Sequence, residues 1–283
     1  MHHPPPRATW LPLVEAALAE DLGPGDATSL ALIEPDQKGE ARLEARAELV
    51  VCGLEVAREV FAQRGVELEP RAADGDVVAP YAVLARVRGS ALGILEAERT
   101  ALNFVQRLSG IATHTRRFRL AVRGTSAEIV DTRKTTPGWR TLEKYAVRCG
   151  GGRNHRLGLF DGILIKDNHV AALGSVGKAV ALARERGSGH LRVRAEVESL
   201  AQAREALDAG ADALLVDNQP PDVIAAIVAV AKGRALVEAS GGVTLETVAA
   251  IARTGVDEIS VGALTHSAPA ADVALEWAAR SSS

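Results

Sequence analysis

The feature that most constrains the fold is a regular alternation of short apolar runs and Ala-rich helical stretches over the second half of the chain. Strand-type runs lie at residues 128–130, 162–165, 193–197, 213–216, 235–237 and 258–261. Helical spacing of apolar residues predicts helices between them at residues 140–149, 176–186, 200–209, 221–231 and 245–254. Repeating strand–helix units predict a parallel sheet with right-handed crossovers.

The residues that end these runs favour a barrel over an open, doubly wound sheet. Most runs finish near a charged or special residue, namely Asp131 with Arg133 and Lys134, Lys166, Glu196 with Glu198, Asp217, Glu238 with Ser240, and Gly262. In a (β/α) barrel the catalytic groups lie at the C-terminal ends of several strands and face one mouth. No Gly-x-Gly-x-x-Gly motif follows the first run, which argues against a dinucleotide-binding sheet.

The first third of the chain has a mixed α/β pattern without this regular alternation. Its spacing predicts helices at residues 11–21 and 54–63, strands at 41–51 and 83–87, and a long helix over 91–109. The chain of 283 residues is long enough for two domains. The sequence therefore predicts an α/β protein of two differently organised parts, with the long helix as the bridge between them.

Positive charge is concentrated in one segment of a chain that is acidic overall. Residues 131–169 contain eight Arg and Lys against four Asp and Glu, whereas the whole chain has a net charge of −3. A basic block in an acidic protein indicates a small, highly anionic ligand, although a solvated charged face has the same composition. The overall charge argues against a general nucleic-acid surface.

Two further features argue against a membrane protein and against a disulfide scaffold. The longest apolar run, residues 223–231, is far shorter than the ~20 residues that span a bilayer. The chain has two cysteines, Cys52 and Cys149, and neither lies in a Cys-x-x-Cys pair. We expect both to be reduced thiols in a cytoplasmic protein.

The cationic candidates follow the first two runs. Arg133 and Lys134 come just after the first run, and Arg156 follows His155 after a triple glycine. The arginine fork matches a carboxylate or a phosphate, whereas lysine acts as a point charge, so the set favours a substrate with several anionic groups. Lys166 directly follows an apolar run, where its desolvation would be costly, and it is expected to pair with an anionic substrate or to form a Schiff base.

The anionic candidates and two glycine turns follow the later runs. Glu196 and Asp217 either hold a Mg²⁺ that bridges substrate phosphates or stabilise positive charge at a sugar carbon. Phosphate sites in barrels are commonly built from the last two loops. The turns in those two loops are Ser240-Gly241-Gly242 and Val261-Gly262-Ala263.

Four stretches carry a specific combination of basic, glycine and histidine residues. They are DTRKTTPG at 131–138, KYAV at 144–147, GGGRNHRLGL at 150–159 and IKDNH at 165–169. The pattern continues through Glu96, Arg99 and Asn103, through the later strand-end residues, and through EDLG at 20–23. Over essentially the whole chain, these motifs closely resemble those of the quinolinate phosphoribosyltransferase family.

The resemblance implies a fold, a reaction and an assembly. The fold is an N-terminal α/β sandwich domain at residues 1–110 and a C-terminal incomplete TIM-like α/β barrel at 111–269, with the tail 270–283 packing back on the first domain. The reaction joins quinolinate and phosphoribosyl pyrophosphate to give nicotinate mononucleotide, pyrophosphate and CO₂, a pentosyltransferase step of NAD biosynthesis that needs Mg²⁺. The assembly is a homodimer or a larger set of dimers in the cytoplasm, without nucleic-acid or membrane partners.

The resemblance also implies a role for individual charged and glycine residues. The quinolinate carboxylates would be bound by Arg133, His155, Arg156 and Lys166, with Arg99 reaching in from the neighbouring subunit. Glu196 and Asp217 would face the ribose and the metal, either directly or through phosphoribosyl pyrophosphate. The 5′-phosphate would lie against Ser240, Gly241, Gly242 and Gly262. Lys134 would contact the pyrophosphate side, and the expected catalytic set is Lys134, Lys166, Glu196 and Asp217.

Three alternatives remain open at the level of sequence. A similar protein that accompanies molybdate transport genes would use another acceptor, although the full set of cations fits a dicarboxylate better. A Schiff-base barrel aldolase would use Lys166 as its nucleophile. A non-catalytic module for phosphorylated metabolites would bind its ligand against repulsion from Glu196 and Asp217.

Overall fold

The computed structural model describes residues 2–187 and 189–278, and the chain divides into two compact units. Of the described residues, 2–116, 136–151 and 267–278 form the N-terminal unit, and 117–135, 152–187 and 189–266 form the barrel unit. The chain therefore returns twice to the N-terminal unit after first leaving it. Residues 279–283 of the expected C-terminal tail lie outside the described residues.

The N-terminal unit is built on a four-stranded antiparallel sheet in the order β12–β1–β5–β3, with a separate antiparallel pair β2–β4. Its strands are β1 (Lys38–Ala45), β2 (Leu49–Val50), β3 (Glu67–Pro70), β4 (Val77–Val78), β5 (Val83–Ser90) and β12 (Val273–Trp277). Its helices are a 3₁₀ turn (Arg7–Thr9), α1 (Leu11–Leu22), α2 (Ala27–Leu32), α3 (Leu54–Ala62), most of α4 (Ala91–Ala121) and α5 (Arg140–Cys149). Because β12 pairs with β1, the described part of the C-terminal tail completes this sheet.

Local chemistry explains where two of these helices begin. The Asp26 carboxylate accepts hydrogen bonds from the N–H groups of Thr28 and Ser29 at 3.0 and 3.1 Å, which caps α2. Gly53 precedes α3 with a φ of +100°, and a Cβ atom there would lie 2.9 Å from the Leu108 side chain. Glycine is therefore required both by the backbone conformation and by the close approach of α4.

The barrel unit holds a six-stranded parallel sheet in the order β6–β11–β10–β9–β8–β7. These strands are β6 (Glu128–Val130), β7 (Ile163–Ile165), β8 (Val193–Val197), β9 (Ala213–Asp217), β10 (Leu236–Ser240) and β11 (Glu258–Ser260). The strands follow chain order except that β6 lies beside the last strand. That is the order of a barrel left open between β6 and β7, whereas a doubly wound sheet reverses its order at an internal switch point. The predicted α/β architecture with an incomplete barrel is confirmed.

The helices of the barrel unit alternate with its strands. They are α6 (Asp167–Leu173), α7 (Val176–Arg186), α8 (Leu200–Asp208), α9 (Pro221–Ala231), α10 (Val248–Ala252) and α11 (Ala263–His266). The Ser175 and Ser199 side chains accept hydrogen bonds from the N–H groups of Lys178 and Gln202, which caps α7 and α8. Among the described helices of both units, none combines the length and the apolar character that a membrane crossing needs.

Several elements differ from the sequence-based prediction, and three of the differences are large. The predicted strand 41–51 is two strands in different sheets, because the chain bends at Arg46, whose N–H donates to the Asp272 carbonyl at 2.8 Å. The long helix continues past residue 109 to Ala121. The helix predicted at 245–254 is shortened to α10, because the Thr244 N–H donates to Thr247 Oγ1 at 2.9 Å and holds the preceding residues in a turn.

Both cysteines are buried and are expected to react slowly in the native protein. Cys52 and Cys149 are buried free thiols, and burial raises the pKa of the Cys52 thiol well above its ordinary value. Only the thiolate reacts, and each pH unit by which the pKa rises lowers the thiolate fraction about tenfold. An aromatic disulfide reagent at pH 8 should therefore modify the native protein at least about tenfold more slowly than the protein unfolded in guanidinium. Equal rates in the two states would contradict this prediction.

Candidate active site

The C-terminal ends of the barrel strands surround a cavity of about 410 Å³. Its lining is Asp131, Thr132, Arg133, Lys134, His155, Arg156, Leu164, Lys166, Asp167, Glu196, Leu215, Asp217, Glu238, Ser240 and Ser260. Eight residues to which the sequence analysis assigned a role in binding or catalysis are therefore brought together: Arg133, Lys134, His155, Arg156, Lys166, Glu196, Asp217 and Ser240. The C-terminal ends of the strands are where active sites of barrel enzymes lie.

Four other residues singled out by the sequence are absent from this lining. Gly241 and Gly242 directly follow Ser240 with φ values of +89° and +57°, and a Cβ at Gly241 would collide with the Asn218 side chain. A Cβ at Gly262 would lie 3.1 Å from Lys134 Cδ, so the backbone approaches that lysine closely. Arg99 is exposed on α4 and belongs to the N-terminal unit, whereas the cavity belongs to the barrel unit.

The basic loop at residues 154–156 is held by two buried carboxylates. Asp131, directly after β6, accepts hydrogen bonds from the His155 N–H at 2.8 Å and from Asn154 Nδ2 at 2.6 Å. Glu238, on β10, lies 3.2 Å from His155 Nε2. The Arg156 N–H donates to His155 Nδ1 at 2.7 Å. The loop is therefore fixed at the backbone and at both nitrogens of the His155 ring.

A polar layer lies inside the barrel, where sequence reasoning had assigned no role. Arg194, on β8, pairs with Glu238 and also with Glu258 at 3.0 Å. The Ser260 hydroxyl donates to the same Glu238 carboxylate. A buried ion pair is tolerated when every partner is hydrogen-bonded, as here. Arg194 carried no recognisable signal in the sequence, whereas Glu238 was noticed only as a residue that follows the run 235–237.

The positive side of the cavity is electrostatically unbalanced. Burial lowers the pKa of the Arg156 guanidinium, and repulsion from Arg133 and Arg194 lowers it further, while the Asp161 charge opposes the shift. One Arg156 nitrogen, Nη1, donates to the Gly162 carbonyl at 3.0 Å, while its buried Nε has no hydrogen-bond partner among the described residues. An anion with more than one carboxylate or phosphate group would relieve this repulsion.

The negative side of the cavity is formed by neighbouring strands. Glu196 lies on β8 opposite Leu215 of β9, and Asp217 lies two residues further along β9 on the same face. Burial raises the pKa of Glu196, the Asp217 charge raises it further, and Lys166 opposes the shift. Two carboxylates that repel each other in a half-buried site are a fitting donor set for a divalent cation.

Both lysines of the cavity are exposed, and for Lys166 this differs from the sequence-based expectation. Lys166 is exposed at the start of α6, so the expectation of a costly buried charge is wrong. The strand β7 ends at Ile165, and the Lys166 N–H donates to His169 Nδ1 at 2.9 Å as the helix begins. Lys134 is also exposed, and its backbone is held because the Thr265 hydroxyl donates to the Lys134 carbonyl at 2.8 Å.

Replacement of Glu196 by glutamine is expected to stabilise the ligand-free protein at neutral pH. A carboxyl whose folded-state pKa is raised is harder to ionise in the folded than in the unfolded chain, so stability falls as pH rises through that pKa. Glu196→Gln removes this cost at pH 7 and should raise the Tm by roughly 1–3 °C. Below about pH 3, well under the ordinary glutamate pKa of about 4.3, both states are protonated and the difference should vanish. Thermal melts over this pH range test the prediction, with exposed Glu198→Gln as the control; an unchanged Tm for Glu196→Gln at pH 7 would refute it.

Comparison with known proteins gives the same family for both parts of the chain. The family model described as quinolinate phosphoribosyl transferase, N-terminal domain, matches residues 26–109, and the model for the C-terminal domain matches residues 111–276. A probable nicotinate-nucleotide pyrophosphorylase (carboxylating) of Bacillus subtilis (strain 168) is 44% identical over 259 residues, 91% of this chain and 89% of that protein. The nicotinate-nucleotide pyrophosphorylase (carboxylating) of Mycobacterium leprae (strain TN) is 44% identical over 271 residues, 93% of this chain and 95% of that protein.

A solved structure agrees with the sequence comparison. The nicotinate-nucleotide pyrophosphorylase from Francisella tularensis superposes with a TM-score of 0.92 at 38% identity. The superposition covers 98% of this chain and 99% of that chain. The likeness therefore extends over both units and is not confined to the barrel.

Proposed function

The chain belongs to the quinolinate phosphoribosyltransferase family, and we propose from this premise that it makes nicotinate mononucleotide from quinolinate. The second substrate is phosphoribosyl pyrophosphate, and the other products are pyrophosphate and CO₂. The single observation that carries the proposal is one cavity lined by four cationic side chains and by the facing carboxylates of Glu196 and Asp217. Family membership makes the aldolase and the binding module poorer interpretations.

The cationic side of the cavity suits the acceptor. Quinolinate is a pyridine dicarboxylate, and Arg133, His155, Arg156 and Lys166 line the part of the cavity where two carboxylates would balance the repulsion described above. Charge-assisted contacts with both carboxylates would fix the ring, so that its nitrogen faces the ribose carbon at a set distance and angle. An acceptor with one carboxylate would leave part of this positive charge uncompensated.

The anionic side suits the sugar. Departure of pyrophosphate leaves positive charge on the ribose, and carboxylates fixed beforehand stabilise such charge most where water is excluded. Glu196 and Asp217 are the proposed stabilisers. Burial, and after it the Asp217 charge, raises the pKa of Glu196, and a cation beside the pair would oppose both effects. We propose that the same pair holds Mg²⁺, directly or through the substrate. When bound, Mg²⁺ would offset the negative charge of the pyrophosphate oxygens.

The two phosphate ends of phosphoribosyl pyrophosphate are assigned to different loops. Ser240 and the positive-φ residues Gly241 and Gly242 offer a hydroxyl and backbone N–H groups for the 5′-phosphate, with Gly262 beside them. Lys134 provides a point charge for the leaving pyrophosphate. The absence of a side chain at Gly262 leaves room for the Lys134 side chain beside the backbone. The catalytic set is then Lys134, Lys166, Glu196 and Asp217.

The decarboxylation that follows needs no organic cofactor. When the ring nitrogen bonds to the ribose it becomes positively charged. The carboxylate on the adjacent carbon can then leave as CO₂, because the electron pair it leaves behind is stabilised by that cationic nitrogen. A proton added to this carbon completes nicotinate mononucleotide.

A homodimer or an assembly of dimers is part of the proposal, with Arg99 supplied by the neighbouring subunit. Two observations support it. Arg99 is exposed, and it lies outside the unit that forms the cavity. The loop that follows Arg156 exposes 76% of Leu159 and 74% of Phe160, which is typical of a surface that another chain covers. A cytoplasmic location is proposed on the two free thiols.

The proposed reaction is tested by following both products in one assay. Purified protein is mixed with carboxyl-labelled quinolinate, phosphoribosyl pyrophosphate and Mg²⁺, and labelled CO₂ and nicotinate mononucleotide are measured together. Equal amounts of the two products are expected, and nicotinate in place of quinolinate should give none. Absence of product while phosphoribosyl pyrophosphate still binds would contradict the assignment of quinolinate as the acceptor. It would favour the alternative of a similar protein that accompanies molybdate transport genes and uses another acceptor.

A further inference from the structure

The buried carboxylate of Glu238 belongs to the wall of the cavity and contacts His155, one of the residues assigned to the acceptor. Glu238 lies on β10 and is only 1% exposed. Its carboxylate faces His155 Nε2 at 3.2 Å and also contacts Arg194 and Ser260. A buried carboxylate is stable only when its partners compensate the cost of desolvation, and these three contacts provide that compensation.

The contacts of the His155 ring define its tautomer. Nδ1 accepts a hydrogen bond from the Arg156 N–H at 2.7 Å, and a ring nitrogen that accepts carries no proton. The ring proton is therefore on Nε2, which faces the Glu238 carboxylate. Both ring nitrogens are engaged by protein groups, so in this arrangement His155 has no ring N–H directed at a substrate carboxylate.

The ring instead holds the backbone from which the Arg156 side chain departs. Asp131 fixes the preceding residues, because it accepts from the His155 N–H and from Asn154 Nδ2. Glu238 fixes the ring, and the ring fixes the Arg156 N–H. Two buried carboxylates, one on the backbone of the loop and one on the His155 ring, thus determine the direction in which Arg156 enters the cavity.

We propose that Glu238 is a positioning residue for quinolinate, acting through the Nε2–H tautomer of His155 to place Arg156. This inference rests on the proposed function and refines it. His155 is then itself a positioning residue and not a ligand of a quinolinate carboxylate. The Glu238 carboxylate is also paired with Arg194, which in turn pairs with Glu258.

Kinetics of matched variants separate positioning from a simple effect of charge. Glu238→Asp keeps the charge but withdraws the carboxylate from His155, whereas Glu238→Gln keeps the length and removes the charge. If Glu238 positions the loop, Glu238→Asp should raise the quinolinate KM about five- to tenfold, since that is the range for one lost hydrogen bond in a buried site, and leave the KM of phosphoribosyl pyrophosphate within twofold. Glu238→Gln, which keeps an acceptor for Nε2–H, should have the smaller effect.

A charge effect alone predicts the opposite order. Removal of a negative charge near a site for a dianion would lower the quinolinate KM of Glu238→Gln, and Glu238→Asp would resemble the wild type. That result would overturn the proposal, as would an equal rise in both KM values. Glu258→Gln is the control, because it removes the other partner of Arg194 without touching His155. It should leave the quinolinate KM within twofold.

A measurement independent of turnover tests the contact itself. The ¹⁵N signals of the His155 ring can be assigned because they disappear in the His155→Gln variant. In the wild type these signals should be those of the neutral Nε2–H tautomer. An Nδ1–H tautomer in the wild type would overturn the inference even if no Glu238 variant folds. Failure of the wild type to convert quinolinate would contradict the proposed function instead, and the spectrum would still report whether Glu238 and Arg156 hold the ring.

Discussion

Asp217→Asn is expected to lower kcat by about 10²–10³-fold, the loss seen when one fixed group that stabilises transition-state charge is removed. Asp217 ends β9 and faces the cavity beside Glu196, where positive charge develops on the ribose. The amide has the shape of the carboxylate but no charge, and Asn218 Nδ2, which donates to Asp217 at 2.7 Å, can still reach its oxygen. Steady-state rates at saturating concentrations of both substrates measure the effect.

The matched control for this prediction is Glu198→Gln. Glu198 is another carboxylate at the same edge of the sheet, but it is exposed and absent from the lining of the cavity. Its replacement should change kcat by less than about threefold, because exposed charges are screened by solvent. A kcat for Asp217→Asn within threefold of the wild type would remove Asp217 from the catalytic set.

Arg156→Ala is expected to raise the quinolinate KM at least about tenfold, with a smaller change in the KM of phosphoribosyl pyrophosphate. A hydrogen bond to a charged group contributes roughly 1.5–3 kcal/mol, which corresponds to about ten- to a hundredfold in KM. Arg156 lines the cavity, where Arg133 and Arg194 repel its charge, so an incoming anion would be attracted to it. Initial rates over a range of quinolinate concentrations give the value.

Two further variants make the Arg156 result specific. Arg156→Lys keeps a positive charge but loses the planar fork, so it should recover only part of the affinity. Arg153→Ala removes an exposed cation from the same loop that does not line the cavity, and it should leave the KM within twofold. An unchanged quinolinate KM in Arg156→Ala would show that Arg156 does not bind the substrate.

The residues that meet in the cavity could be predicted from the sequence because barrel geometry brings the strand ends together. Residues as far apart as Arg133 and Ser240 line the same cavity, since the C-terminal ends of parallel strands converge at one mouth. Only the positions of the strand ends were needed for this inference. Those positions were predictable from apolar runs that finish abruptly at Asp131, Lys166 and Asp217.

The polar interior of the barrel was not predictable for a physical reason. The predicted run 235–237 placed Glu238 after a strand, but β10 extends from Leu236 to Ser240 and puts Glu238 in its middle. A shift of one or two residues decides whether a side chain ends a strand or lies inside the barrel. The pairing of Arg194 with Glu238 and Glu258 depends in addition on which strands are neighbours, which a single sequence does not show.

The path of the chain limits how a gene for this protein can be cut and recombined. The segment 136–151 belongs to the N-terminal unit, where Trp139 stacks on Phe104 with ring centroids 4.7 Å apart. In the same unit Arg107 donates to the fully buried Glu143 at 2.7 Å. A cut near residue 110, where the two family models meet, would separate both pairs and leave a buried carboxylate without its cation, at a cost of several kcal/mol. Modules exchanged between relatives at that junction must therefore carry compatible partners on both sides.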